Sequence, residues 1–175
     1  MQRKTYKGFT FLEVLLVSSL IVIMTGIVLV STWDSRREKE LAVAMRTVAA
    51  VLREAQNNAL SGKQLDATKV PCSFNILYGD PDGDPQDNPA RYTMSYNYHG
   101  VDDEDCNQED VIATYTLENG VVMGGFDSIV FDLPHGIVNP ARSTSIVLTR
   151  KDKVAHVCVY FSGLVEEGGE DGCPL

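Results

Sequence analysis

Residues 7–24 read KGFTFLEVLLVSSLIVIM, and the apolar run continues to Val30. From residue 9 to residue 30 the chain carries one charged side chain, Glu13. As a helix rising about 1.5 Å per residue, this stretch reaches about 33 Å, enough to cross a hydrocarbon core of about 30 Å. A cleavable secretory signal has a shorter apolar region of about 7–15 residues, closed by a small-residue cleavage site. No A-x-A site directly follows the run, which passes straight into a polar helix. The expectation is a retained membrane helix. A carboxylate at the bilayer centre costs about 2.5–3.5 kcal/mol on insertion scales, and less near a helix end. Glu13 therefore either rests at the interface or has a task that a plain anchor does not need.

Beyond Val30 neither proline nor glycine occurs until Gly62. Leu41, Met45, Val48, Leu52, Ala55 and Ala59 recur at intervals of three and four, and Arg46, Arg53, Glu54, Gln56 and Asn57 take the opposite face. The spacing predicts that the helix continues as an amphipathic stalk over residues 34–62, with Gly62 as its stop. Two helices joined near residues 33–37 are the alternative.

The 175 residues carry a net charge of -9, unevenly spread. Residues 1–62 hold eight Lys/Arg against five Asp/Glu, a balance of +3. Residues 63–175 hold seven against nineteen, a balance of -12. An acidic C-terminal part repels phosphate, so nucleic acid is excluded as its general partner. After Pro71 short β-type runs follow at 73–78, 92–98, 111–117, 129–133, 145–150 and 154–161. Turns are expected at Glu118-Asn119-Gly120 and Lys151-Asp152-Lys153. They predict one antiparallel sheet of four to six strands on the apolar face of the stalk, an α+β head over residues 63–175. Tyr92, Tyr96 and Tyr98 alternate as packing residues of a strand.

The four cysteines, Cys72, Cys106, Cys158 and Cys173, all lie in the acidic part, and none forms a C-x-x-C pair. An even count at wide spacing fits two disulfides better than zinc, which puts the head outside the cytoplasm. Arg3, Lys4 and Lys7 before the span balance Arg36, Arg37 and Lys39 after it, so the cysteines decide the orientation. In the last run Ala155, Val157, Val159 and Phe161 share the core face, and His156, Cys158 and Tyr160 share the other. A glycine-rich tail, EEGGEDGC, then carries Cys173 back to Cys158. Cys158–Cys173 with Cys72–Cys106 is the favoured pairing; the two other pairings stay open.

YGDPDGDPQDNPAR sets Asp80, Asp82 and Asp84 at alternate positions, like the start of a calcium loop. Pro85 stands where such a loop wants glycine, and Arg91 where it wants glutamate. A solvated, turn-rich loop without a cofactor is the preferred reading, with calcium on Asp80, Asp82 and Asp84 as the alternative. His99, His135 and His156 share no catalytic motif, and no nucleophile elbow, HExxH or phosphate loop occurs. No enzymatic activity is expected.

The basic leader, Gly8, Phe9, Thr10, Phe11-Leu12-Glu13 and the long apolar run together resemble the N-terminal signature of type IV prepilins and type II secretion pseudopilins. Phe11 stands where leucine is commoner in that family. The resemblance implies that a prepilin peptidase removes residues 1–8 by cutting between Gly8 and Phe9. It implies N-methylation of Phe9 and an assembly role for Glu13, whose carboxylate faces the new amine of a neighbouring subunit. It further implies a pilin-like fold, with a membrane and filament-core helix over 9–33. The partners would be other pilin or pseudopilin subunits, the peptidase, an inner-membrane assembly platform and, before assembly, lipid. The chain would be a single-pass protein of the cytoplasmic membrane, with its leader on the inner side and its head outside, and then part of an extracellular or periplasmic filament. The expected role is a structural subunit of a type IV pilus-like filament. A minor, H-type pseudopilin of a secretion or competence system is the alternative, faintly supported by LREAQNNALSGK and IVFDLPHGIVNP. A membrane-anchored extracellular binding module is the distant one.

Overall fold

The structure, a computed structural model, describes residues 10–79, 88–100, 105–139, 143–169 and 172–173; within the helix the side chains of residues 27–34 lie outside the description. A single α-helix, α1, runs Phe11–Ser61 without interruption. The chain divides into two compact units, residues 1–38 and 39–175, and α1 contributes to both.

In the second unit α1 buries Leu41, Ala44, Val48, Ala49, Val51, Leu52, Ala55 and Ala59. The stripe is rich in alanine, so strands can approach the helix axis closely. Met45, expected in the core, is only partly buried. Its neighbours Ala44, Ala49 and Val51 widen the stripe instead. Gly62, at φ +58°, ends the helix, and the Lys63 amide returns to the Asn58 carbonyl at 3.0 Å. This is a Schellman-type stop, in which the residue after the glycine satisfies an orphan carbonyl.

Among the described residues nine strands follow: β1 (Val70–Tyr78), β2 (Arg91–His99), β3 (Gln108–Thr116), β4 (Val122–Gly124), β5 (Ser128–Asp132), β6 (Ile137–Asn139), β7 (Thr144–Arg150), β8 (Lys153–Val159) and β9 (Val165–Gly168). They form two sheets rather than the one expected. The first has the order β3-β2-β1-β5-β6 and the second β4-β7-β8-β9. All named pairings are antiparallel. The first crossing between the sheets falls between β3 and β4. Asn119 and Gly120 both take positive φ, 62° and 71°, so the chain turns sharply after β3 and leaves the first sheet. At Gly125 a Cβ would stand 2.7 Å from the Ser145 carbonyl; only a bare backbone brings the end of β4 this close to β7.

The core joins the two sheets and the helix. Phe74, Ile76, Tyr92, Met94 and Phe131 come from the first sheet, and Ile146, Leu148, Val157 and Val159 from the second. Each fully buried large apolar side chain contributes about 1.5–3 kcal/mol relative to exposure. Tyr92, Tyr96 and Tyr98 are all buried, as the alternation predicts.

The last strand differs from its sequence reading. β8 stops at Val159, and Phe161 is 58 % exposed rather than part of the core. The turn around Gly163 reverses the chain, with the Gly163 amide donating to the Tyr160 carbonyl at 2.8 Å. Cys158 is buried, not a surface residue. It bonds to Cys173, with Cα atoms 5.6 Å apart, and Cys72 bonds to Cys106, 6.6 Å apart.

Candidate functional site

The first turn of α1 is built by Thr10 and Glu13. Thr10 precedes the helix, and its Oγ1 accepts a hydrogen bond from the Glu13 amide at 3.3 Å. The Thr10 carbonyl accepts from the Val14 amide at 3.3 Å. Thr-x-x-Glu is the spacing of a capping box, a local signal that the sequence reading passed over. It gives Glu13 a plain structural reason for its place, because a carboxylate in the first turn is favoured by the helix dipole.

The surroundings of Glu13 have no such plain reason. Phe11, Leu12, Val14, Leu15, Leu16, Val17, Leu20, Ile21, Val22, Ile23 and Met24 are each at least half exposed. They point to every side of the helix. A helix that is apolar all round requires lipid or protein about it. The few polar side chains here turn back on their own backbone. Ser18 donates to the Leu15 carbonyl at 2.9 Å, Ser19 to Leu16 at 2.8 Å, and Thr25 to Ile21 at 2.6 Å. Glu13 is then the one side chain of residues 11–26 with a charge.

Among the described residues no helix is long and apolar enough to cross a membrane. Of the span expected over 9–30, residue 9 and the side chains of residues 27–30 lie outside the described residues. Gly8 and Phe9, the expected cleavage and methylation residues, and Asp80, Asp82 and Asp84, the calcium candidates, lie outside the described residues.

On the head, α1 is tied to the strands by polar contacts as well as by the core. Glu40 pairs with Arg150 at the end of β7. Arg53 Nη2 donates to the Val165 carbonyl at 3.1 Å, and its Nη1 stands 3.6 Å from Glu167. At the edge of the first sheet Lys69 pairs with Asp110 and lies 4.6 Å from the centre of the Tyr98 ring. The Tyr96 hydroxyl donates to Asp110 Oδ2 at 3.1 Å. The hydrogen bond from Lys69 holds the Asp110 carboxyl below its usual value and, reciprocally, raises the Lys69 ammonium. Asp66 is lowered by the Thr68 amide, which donates to it at 2.9 Å.

These are arrangements that hold a head together. Ser145 Oγ and His156 Nδ1 are 3.0 Å apart, but the sulfur of neighbouring Cys158 is consumed in a disulfide. No thiolate is left for the imidazole to activate.

No protein-family model matches the sequence, and no curated protein matches it. The fold, however, is known. It is similar to crystal structures of the type IV minor pilin FimU from Pseudomonas aeruginosa. One aligns with a TM-score of 0.54 at 13 % identity, covering 78 % of this chain and 94 % of FimU. A second crystal form gives 0.50 at 12 % identity, covering 76 % and 96 %. The minor pseudopilin EpsH of the type 2 secretion system of Vibrio cholerae aligns with a TM-score of 0.48 at 15 % identity, covering 74 % and 97 %. The chain thus has a pilin-like α+β fold.

Proposed function

We propose that this chain is a structural subunit of a pilus or pseudopilus filament, and not an enzyme. The observation that carries the reading is the start of α1: apolar on every side, uncovered, and bearing one carboxylate in its first turn. The same helix supplies the core of a pilin-type head. In this reading the helix start lies in the cytoplasmic membrane before assembly and is covered afterwards by the same segment of neighbouring subunits. The prepilin peptidase cuts between Gly8 and Phe9, and Phe9 is methylated. Its new amine then meets Glu13 of an adjacent subunit, an attraction strengthened by the low dielectric around it. The head faces the periplasm or the exterior, where its two disulfides form.

The test is to incubate the full chain in detergent with a purified prepilin peptidase and a methyl donor, and then to sequence the product. The expected N-terminus is methylated Phe9. An intact chain, or a cut elsewhere, overturns the proposal. A pilus and a secretion pseudopilus are then separated by whether the chain is recovered in sheared surface filaments.

A further inference from the structure

Phe161 is exposed although the alternation of its strand points it inward, and it has company. Its carbonyl accepts from the Val138 amide at 3.2 Å. The turn beside it is packed tightly. A Cβ on Gly163 would stand 2.3 Å from the Gly136 carbonyl, and one on Gly136 would stand 2.9 Å from Leu60 Cγ. These close approaches gather Leu60, Ile137, Phe161 and Leu164 at the C-terminal end of α1, each between 42 and 58 % exposed. A lone exposed apolar side chain is ordinary, whereas a gathered group marks an interaction surface. Lys63 is exposed nearby, one residue past Gly62.

Earlier on the same helix the head surface is concave. A cavity of about 250 Å³ opens between α1 and the end of β3. Val43, Ala44 and Leu117 give it an apolar wall, and the exposed Glu118 lines it as well. An apolar cavity of about 150 Å³ holds benzene, so this one has room for a phenyl ring. Val43 precedes Leu60 by about 25 Å along the helix, at about 1.5 Å per residue.

We propose that the Phe161 patch of one copy docks in the Val43–Leu117 cavity of a second copy, with Phe161 inserted and Lys63 facing Glu118. The inference rests on the filament reading above. Three observations make a second copy the occupant. The cavity fits an aromatic ring, and the chain presents one. The heads are acidic and repel one another, yet at this contact a cation meets a carboxylate. Four half-exposed side chains fall well short of the about 800 Å² per partner of a stable interface, so the contact needs a second attachment, which the apolar start of α1 supplies. Patch and cavity are different surfaces, so each copy offers both and the contact propagates instead of closing a pair. With parallel helices it also requires one copy to stand about 25 Å further along α1 than the other. Copies lying level in a membrane cannot make it. It forms as one subunit is lifted past its neighbour.

The test places Thr47→Cys, at the cavity, and Phe161→Cys in the full chain, and adds a short bis-maleimide to cells that make it with its assembly machinery. The four native cysteines are bonded, so the new thiols alone react. The double variant should give a ladder of linked chains, a mixture of the two single variants should give dimers, and each single variant should stay unlinked. Dimers from Phe161→Cys alone overturn the proposal, because the patch then faces itself. Absence of a ladder overturns it too, as does a ladder that persists when the machinery is withheld. Phe161→Asp in an otherwise native chain should keep its methylated Phe9 and enter filaments several-fold less; unchanged incorporation overturns the proposal. A methylated Phe9 in unlinked chains shows that the filament reading survives the loss of this contact, whereas an unprocessed N-terminus takes both down.

Discussion

Glu40 on α1 and Arg150 at the end of β7 form an ion pair whose side chains are only 15 % and 17 % exposed. The hairpin of β7 and β8 is thereby pinned to the helix by charge as well as by Ile146 and Leu148. Removing one member of a largely buried pair strands the other, at a typical cost of about 3–5 kcal/mol. Glu40→Ala should therefore lower the unfolding free energy by about 3 kcal/mol. Glu40→Leu with Arg150→Leu should cost clearly less than Glu40→Ala alone. Thermal unfolding of the three chains decides the matter, and equal losses in the single and double variants would show that a stranded Arg150 charge is not the source of the cost.

Gly163 holds a second junction. Its φ is +84°, and a Cβ would stand 2.3 Å from the Gly136 carbonyl and 2.5 Å from Gln56 Nε2. Gly163→Ala combines a left-handed backbone penalty of about 1–2 kcal/mol with overpacking of about 1–3 kcal/mol. A drop of several kcal/mol is expected in denaturant unfolding. Gly169→Ala, where nothing lies within 4 Å, should stay within about 0.5 kcal/mol of the parent.

Asp110 gives the head an acid limit. Its folded carboxyl is lowered from 3.8, first by the hydrogen bond from Lys69. A depressed carboxyl stabilises the fold above its unfolded value and loses that contribution as pH falls through the folded one. The Tm difference between the parent and Asp110→Asn should be largest near neutrality and close as pH drops below 3.8. On the alkaline side the raised Lys69 acts in the opposite sense: its contribution is complete below 10.5 and is lost at higher pH. A Tm difference that stays constant from neutral to strongly acid pH would remove Asp110 from this role.

The capping place of Glu13 and its proposed role in assembly are separated by one substitution. Glutamine serves in a capping box as glutamate does, but it offers no charge to an amine. Glu13→Gln should keep the hydrogen-exchange protection of the first helical turn and lose filament incorporation. Thr10→Ala should do the reverse, at about 1 kcal/mol of helix-end stability. Filaments that accept Glu13→Gln as readily as the parent would reduce the residue to its capping role.

The helix, its apolar face and the longer strands were legible because their periodicities span many residues. Val48, Leu52, Ala55 and Ala59 announce the buried stripe that forms. β4, β6 and β9 were not legible, since three or four residues beside Gly124, Gly136 or Gly168 show no alternation. The first step from one sheet to the other, between β3 and β4, runs through a turn with positive φ at Asn119 and Gly120. The sequence marks a turn there but not the sheet to which it leads. Phe161 misled because its alternation continues past the end of β8, where the reversal at Gly163 overrides it. At the candidate site the apolar run and Glu13 stood out at once, whereas the contribution of Thr10 needs only a four-residue spacing and was passed over.

The inward-turned hydroxyls of Ser18, Ser19 and Thr25 have a consequence for traffic between environments. Each has its donor occupied within its own helix, so none has to find a partner in whatever lies alongside. An acyl chain and the flank of another helix are, to this surface, interchangeable company. Moving from one to the other makes and breaks no hydrogen bond at these three side chains. In the proposed passage from membrane to filament, the fit of apolar shapes and Glu13 would then govern the exchange.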